Sequence, residues 1–186
     1  GGVAGCEAAR VLAIRGHQPV VYEKGSRLGG NLIPGGAPDF KEDDIALADW
    51  YTNELNRLGV HVHLNTELNE EEIKAMDYDT VILATGSKLK VFSLGDDSHI
   101  YTAEQVLLKQ KDAGKKTVIV GGGLVGCETA LWFAQNGIHV TIVEALDKVM
   151  AVNGPLCAAN KEMLEALLPF NGVEIITGAK VTEFEN

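Results

Sequence analysis

Two glycine-rich turns, each followed at a fixed distance by an acid, are the residues of this chain that could do chemistry. The segment from Gly1 to Glu23 aligns without a gap with the segment from Gly122 to Glu144, 121 residues further along the chain. Nine of the 23 aligned pairs are identical, and they include the acid. Two copies of one phosphate-binding device predict two separate nucleotide sites.

The second copy has the full pattern of a dinucleotide-binding turn. A β-branched run over 117–120 leads into residues 121–126, which fit G-x-G-x-x-G, and an apolar helical pattern follows. Gly123 would let a pyrophosphate approach the backbone, and Gly126 would let the helix pack closely on the strand. The helix would direct its free N–H groups at the phosphates. Glu144, 21 residues after Gly123, is placed to accept both hydroxyls of an adenosine ribose.

The first copy has the same spacing, since Glu23 also lies 21 residues after Gly2. Gly1 occupies the second position of the motif, so the first glycine and its strand are not in the chain. A parallel sheet without that central strand would bury unpaired backbone groups. We therefore expect a fragment with an α/β fold, made of two Rossmann-like three-layer units that are both incomplete.

The remaining patterns predict the elements that position these turns. A second repeat aligns 60–68 with 173–181, which indicates that the two halves share a fold as well as a motif. Residues 33–38 are expected to be an irregular connection. The apolar periodicity predicts helices over 39–58, 69–76, 103–111, 127–135 and 160–168, and strands over 60–64, 80–84, 117–120 and 138–143.

Composition limits the classes of partner. The formal net charge of −10 argues against nucleic acid, because phosphate binding at a surface needs clustered Lys and Arg. A chain with 46% hydrophobic and 23% charged residues can bury a sizeable core. Its apolar runs are too short to span a bilayer, so we expect no membrane contact and a cytoplasmic protein.

Cysteine and histidine spacing gives no sign of a metal site. Cys6, Cys127 and Cys157 are far apart in sequence, which excludes a local redox pair or a local zinc or iron–sulfur site. Cys6 and Cys127 hold equivalent positions in the repeat, where a small packing residue is expected. His61 and His63 share one strand face and are expected to face solvent or to be hydrogen-bonded within the protein, and not to bind a metal. No side chain is a convincing general acid or nucleophile, so we assign no catalytic residue and no metal ligand.

With Glu23, the run Arg27-Leu28-Gly29-Gly30-Asn31, the turn Ala84-Thr85-Gly86 and a second nucleotide motif, the chain resembles flavoproteins with two dinucleotide-binding domains. Within these flavoproteins, the sequence is most similar to the C-terminal part of the 2,4-dienoyl-CoA reductase and 2-enoate reductase group of NADH:flavin oxidoreductases. The similar segments are 22–24, 28–32, 39–58 and 121–130. In that group, a barrel that binds FMN and carries an iron–sulfur cluster precedes this region.

The resemblance implies an FAD-binding domain over 1–112 and an NAD(P)-binding domain over 113–186. Electrons would pass from NADH through FAD and the cluster to FMN and an unsaturated substrate, with the missing barrel as partner. The implied FAD contacts are Gly2, Ala4, Gly5, Glu23, Lys24, Gly29, Gly30, Asn31, Ala84, Thr85 and Gly86. The implied NADH contacts are Gly121, Gly123, Leu124, Val125, Gly126 and Glu144. Hydride transfer is the cofactors' own chemistry, so no catalytic side chain is required.

Two alternatives share this architecture. A disulfide reductase is disfavoured, because neither 28–34 nor the second half carries a cysteine pair. A nucleotide-binding module with a structural ADP-like ligand, as in relatives of the trimethylamine dehydrogenase type, stays open. Two further expectations follow: the fragment alone binds FAD weakly or not at all, and Glu144 selects NADH over NADPH.

Overall fold

The computed structural model describes residues 1–89, 94, 97–151 and 156–184, and the chain divides into two compact units, Gly1–Leu89 and Lys90–Asn186. Within the described residues, no helix combines the length and the apolar character needed to cross a membrane. The two units are described separately below.

The first unit is a two-stranded parallel sheet with helices packed on it. Val21 lies opposite Val62 in the register of the two strands. Its elements are α1 (Val3–Ile14), β1 (Val20–Tyr22), α2 (Leu32–Gly35), a 3-10 turn (Asp39–Lys41), α3 (Glu42–Arg57), β2 (His61–His63) and α4 (Glu70–Ala75).

The core of the first unit lies between α1, α3 and the sheet. Cys6 and Ala9 of α1 are buried together with Val21 of β1, and Tyr51 and Leu55 of α3 close the cluster. The small side chains of α1 allow this helix to lie close to β1. This packing holds the N-terminus of α1 at the carboxyl end of β1, which is where ligands bind in parallel α/β sheets.

The second unit has a three-stranded parallel sheet in the order β3-β4-β5. Val120, Val143 and Ile176 lie side by side in its register. Its elements are a 3-10 turn (Asp97–His99), α5 (Ala103–Leu107), β3 (Lys116–Val120), α6 (Leu124–Gln135), β4 (His139–Val143), α7 (Ala158–Phe170) and β5 (Glu174–Ile176). Parallel strands joined through helices confirm the predicted Rossmann-like α/β class.

The core of the second unit repeats that of the first. Cys127 and Leu131 of α6 lie with Ile142 of β4, and all three are almost fully buried. Leu164 and Leu168 of α7 complete the cluster with no exposed surface. The core therefore fixes the start of α6 beside the ends of β3 and β4.

Hydrogen bonds confirm the second repeat. Asn65 and Gly178 both adopt a left-handed backbone, with φ of 53° and 65°. The N–H of Asn65 donates to the carbonyl of Gly25 at 2.9 Å, and that of Gly178 donates to the carbonyl of Leu146 at 2.7 Å. Equivalent turns therefore follow β2 and β5, and each contacts the segment after the acid.

The predicted strand over 80–84 is wrong. Val81, Ile82 and Leu83 have 48, 54 and 76% of their surface exposed and form no strand. In the described part of the first unit, β1 pairs with β2 and no strand adjoins residues 80–84. A β-strand is defined by hydrogen bonds to a neighbouring strand, so the apolar composition of residues 80–84 was not enough to predict one.

Two further predictions need correction. The helix expected over 103–111 ends at Leu107, and Lys109 has a φ of 57°, which a helix does not tolerate. The connection expected over 33–38 begins instead with α2, a single helical turn. The other predicted helices and strands are present within one to three residues of their expected ends.

The division into an FAD-binding domain over 1–112 and an NAD(P)-binding domain over 113–186 stays a prediction. Along the chain, the boundary between the two compact units falls between Leu89 and Lys90, and α5 packs on α6 within the second unit.

Candidate dinucleotide-binding sites

The glycine turn of the second unit has the geometry that a phosphate-binding turn requires. Gly121 follows β3 with a φ of 105°, a conformation that favours glycine. Gly123 is the N-cap of α6, and a Cβ placed there meets no atom within 4 Å. A Cβ at Gly126 would lie 2.0 Å from the carbonyl oxygen of Gly121, so no side chain fits. The turn thus has free space beside Gly123, where a pyrophosphate at the helix N-terminus would lie. It has none beside Gly126, where α6 packs closely on the turn.

Glu144 is fixed beside this turn by two backbone donors. Its Oε2 accepts the N–H of Gly122 at 2.6 Å, and its Oε1 accepts the N–H of Leu146 at 2.8 Å. The bonds from Leu146 and then Gly122 lower the pKa of Glu144 below 4.5, against an opposing effect of partial burial. The carboxylate is therefore ionised and oriented at neutral pH, with lone pairs left for ribose hydroxyls.

The peptide of the middle glycine is also held through its carbonyl. The oxygen of Gly122 accepts the N–H of Met150 at 2.7 Å and the thiol of Cys127 at 3.4 Å. A Cβ at Gly122 would lie 2.7 Å from Val149 Cγ1, so the loop packs directly on the turn. The turn, the acid and the loop around Met150 form one network.

The first unit has an equivalent network at the same positions of the repeat, with the terminal amine of Gly1 in the place of the Gly122 N–H. The nitrogen of Gly1 lies 2.9 Å from Glu23 Oε2, and the N–H of Gly25 donates to Glu23 Oε1 at 2.6 Å. The carbonyl of Gly1 accepts the N–H of Gly29 at 2.8 Å and the thiol of Cys6 at 3.1 Å. Each of these residues lies 121 positions before its counterpart. The gapless repeat therefore predicted the local geometry correctly.

The carboxyl of Glu23 is also held in its charged form, here partly by an ion pair. Burial raises the pKa of this carboxyl, but the charged terminal amine of Gly1, the N–H of Gly25 and the charge of Lys24 together outweigh burial, so its pKa is lowered overall. Glu23 directly follows β1, as Glu144 follows β4. Both acids thus lie ionised at the carboxyl end of a parallel strand, next to a glycine turn.

The loops beside the two turns differ. In the first unit, Gly29 and Gly30 have φ of 120° and 52°, and a Cβ at Gly30 would lie 2.8 Å from Gly2 Cα. Their counterparts in the second unit are Met150 and Ala151. Met150 keeps a left-handed φ of 52° with only 3% of its surface exposed. The first turn therefore lies next to two residues without side chains, Gly29 and Gly30. The second turn lies next to the side chains of Met150 and Ala151.

We expect acid to weaken the second unit through Glu144. Its folded-state pKa lies below the ordinary 4.5, so its contribution to stability is complete above that pH and is lost as the pH falls through the lowered pKa. The free energy of unfolding, measured by urea titration at a series of pH values from neutral downward, should show this loss. Glu144→Gln should be less stable at neutral pH and should show a flatter profile. An equally steep profile in the variant would contradict the assignment.

Comparison with known proteins identifies the fold. Residues 1–186 match the family described as pyridine nucleotide-disulphide oxidoreductase. The chain belongs to this family. A likeness to flavoproteins with two dinucleotide-binding domains, expected from the motifs, is thereby confirmed, and the family supports binding of FAD and a nicotinamide dinucleotide.

Several pyridine nucleotide-disulphide oxidoreductases are similar along the whole chain. A cinnamate reductase of Clostridium sporogenes is 49% identical over 183 residues, and an NADH oxidase of Thermoanaerobacter brockii is 37% identical over 189. Each alignment covers 98% of this chain but only 28 and 29% of those proteins. The structure of a 2-naphthoyl-CoA reductase complex matches with a TM-score of 0.88 and 27% identity, over 99% of this chain and 28% of that one. The chain thus spans less than a third of these relatives.

The structure of this family member brings together most of the expected contacts. Gly2 pairs with Gly29, and a Cβ at Gly5 would lie 3.3 Å from that of Ala84. Six others lie at the two turns: Glu23, Gly30, Gly121, Gly123, Gly126 and Glu144. Ala4, Lys24, Asn31, Thr85, Gly86 and Val125 are exposed, and Leu124 is half-buried at the start of α6. The binding roles of all these residues stay predictions.

Sequence reasoning missed three residues of the networks. Cys6 and Cys127 were interpreted as packing residues, yet each thiol also donates to a glycine carbonyl. Met150 was not singled out, because nothing in its local sequence marks a turn. The repeat could have identified Met150, because it aligns this residue with Gly29 of the predicted FAD loop.

Proposed function

We propose that this chain is the dinucleotide module of an NADH:flavin oxidoreductase, with FAD in the first unit and NADH in the second. The observation that carries the proposal is the pair of equivalent networks, in which an ionised acid is bonded to the middle glycine of each turn. An acid so placed suits a ribose with free hydroxyls. Two such sites in one chain suit two dinucleotides.

The difference between the loops supports the order of the cofactors. Gly30 lies exposed beside Gly2, so a bulky planar group can approach the backbone of the first turn. Met150 and Ala151 occupy the equivalent place in the second unit. We infer that the first site suits the flavin dinucleotide and the second suits the nicotinamide dinucleotide.

The chain's own residues bind and orient the nucleotides. The first turns of α1 and α6 offer backbone N–H groups to phosphates, which a chain with a net charge of −10 can hold without a basic surface. Glu23 and Glu144 fix the two riboses through their remaining lone pairs. When both cofactors are bound, they supply hydride transfer from nicotinamide to flavin, so no catalytic side chain is needed.

The substrate of the whole protein is a further part of the proposal. Its similarity to a cinnamate reductase and to a 2-naphthoyl-CoA reductase supports reduction of an unsaturated, enoate or dienoyl-CoA-like compound. We propose that FMN and an iron–sulfur cluster, held by an N-terminal barrel outside these 186 residues, carry electrons to it. A module with a structural ADP-like nucleotide is less well supported, because the more similar relatives include reductases and an NADH oxidase.

Anaerobic reduction of the full-length protein tests the proposal. We expect purified protein to be yellow and its flavin absorbance to bleach on addition of NADH. Glu23→Ala should lower the amount of bound FAD, because one ribose anchor is lost. Glu144→Ala should stay yellow but need more NADH for half-maximal bleaching. Bound flavin that neither NADH nor NADPH reduces would instead support the structural-nucleotide module.

A further inference from the structure

A buried thiol lies under the glycine turn of each unit. Cys127 Sγ is 3.4 Å from the carbonyl oxygen of Gly122, and Cys6 Sγ is 3.1 Å from that of Gly1. Both cysteines have no exposed surface. The contact therefore occurs twice, at positions that the repeat relates. A recurring S–H to carbonyl geometry of this kind is a weak hydrogen bond.

The carbonyl that accepts the thiol belongs to the residue on which each network centres. In the second unit, Gly122 also donates its N–H to Glu144 and accepts the N–H of Met150. The thiol thus adds a side-chain bond, from the core side, to a glycine that lacks any side chain of its own. Movement of this glycine would shift both the acid and the turn that faces the pyrophosphate.

We propose that Cys127 and Cys6 are positioning residues for the two dinucleotides, each holding the middle glycine of its turn by thiol donation to the glycine carbonyl. The proposal rests on the function proposed above. It adds a role for two side chains whose burial alone would be explained by packing. Each cysteine acts through the backbone and does not touch the nucleotide.

The protonation state supports this role. Burial, followed by the charges of Glu144 and Glu128, raises the pKa of the Cys127 thiol to about 11. Burial is also the main cause of the raised pKa of Cys6. Both thiols therefore keep their proton at neutral pH and can donate it. Buried thiols of this kind are poor nucleophiles, which agrees with a positioning role rather than a redox one.

Replacement of Cys127 by Ala and by Ser separates donation from packing. Serine keeps a donor of similar size, whereas alanine has none. In the full-length protein, we expect Cys127→Ala to raise the Kd of NADH about 2- to 5-fold, the size of one weak hydrogen bond. The change should appear in KM more than in kcat, and Cys127→Ser should restore most of the affinity. A Kd equal to wild type in Cys127→Ala would overturn the proposal, as would a Ser variant no better than Ala.

Amide hydrogen exchange gives a test that needs no ligand. Cys127→Ala should speed exchange at the amides of Gly122 and Met150, while amides of β4 keep their wild-type rates. Cys127→Ser should exchange like wild type at both places. Uniformly faster exchange over the whole second unit would show a packing role only and would overturn the proposal. If wild-type protein failed to bind NADH, the proposed function would fail, and the exchange result would still decide the role of the thiol.

The first unit provides the reciprocal variant. Cys6→Ala should weaken FAD binding about 2- to 5-fold, with recovery in Cys6→Ser, because the carbonyl of Gly1 loses the same donor. Reconstitution of the full-length apoprotein with FAD measures this change. Equal FAD affinities in wild type and Cys6→Ala would contradict the role proposed for the first thiol.

Discussion

The full-length protein is expected to use NADH with a kcat/KM about tenfold to a hundredfold above that for NADPH. Glu144 causes the difference, because its carboxylate is ionised and held by the N–H groups of Gly122 and Leu146. A 2′-phosphate at this ribose would meet a like charge that cannot easily turn away. The first cation after Glu144 in the sequence is Lys148.

Steady-state kinetics with both coenzymes measures this ratio. Glu144→Ala should lower the ratio of kcat/KM for NADH to that for NADPH, mainly through a lower KM for NADPH. Asp147→Ala is the matched control, since it removes an exposed acid three residues further on and should leave the ratio nearly as it is. Equal or better kcat/KM with NADPH in the wild-type protein would refute the role of Glu144.

Alanine at two glycines of the same turn should affect different properties, stability at Gly126 and NADH affinity at Gly123. Gly126→Ala should destabilise the second unit by about 3 kcal/mol or more, because its Cβ would lie 2.0 Å from the backbone oxygen of Gly121. Gly123→Ala should cost less than about 1 kcal/mol, because its Cβ meets no atom within 4 Å. The same methyl group would, however, occupy space that the pyrophosphate needs, and it should lower NADH affinity roughly tenfold.

In the 186-residue chain, fluorescence of Trp132 on α6 can follow unfolding of the second unit. For this, Trp50, the other tryptophan of these 186 residues, is replaced by Phe. Urea unfolding and NADH titration of both alanine variants in this background give stability and affinity separately. A stable Gly126→Ala protein, or a Gly123→Ala protein with wild-type NADH affinity, would contradict the geometry assigned to the turn.

Repetition made the turns and acids predictable from sequence. A single G-x-G-x-x-G pattern is common, but the second copy placed Glu23 and Glu144 at the same distance from their glycines. Each acid lies where the spacing put it, bonded to the middle glycine. Periodicity likewise located α3, α6 and β4, because long amphipathic or apolar runs between turn residues have few alternative structures.

The failures have a common physical cause, which is that local patterns carry no information on neighbours. Residues 80–84 have the composition of a buried strand but no ladder partner in the described structure. Met150 adopts a left-handed conformation that its residue type disfavours, because the Gly122 carbonyl and the surrounding core hold it there. The thiol bonds could not be inferred from the residue type, since burial of a cysteine alone predicts packing.

The exposed row of Val81, Ile82 and Leu83 has a practical consequence for experiments on the 186-residue chain. An exposed apolar segment without ladder bonds can add to the open sheet edge of another molecule. The isolated chain should therefore self-associate at high concentration, and Ile82→Lys should keep it monomeric in light scattering. Self-association that persists unchanged in Ile82→Lys would contradict the role of this segment.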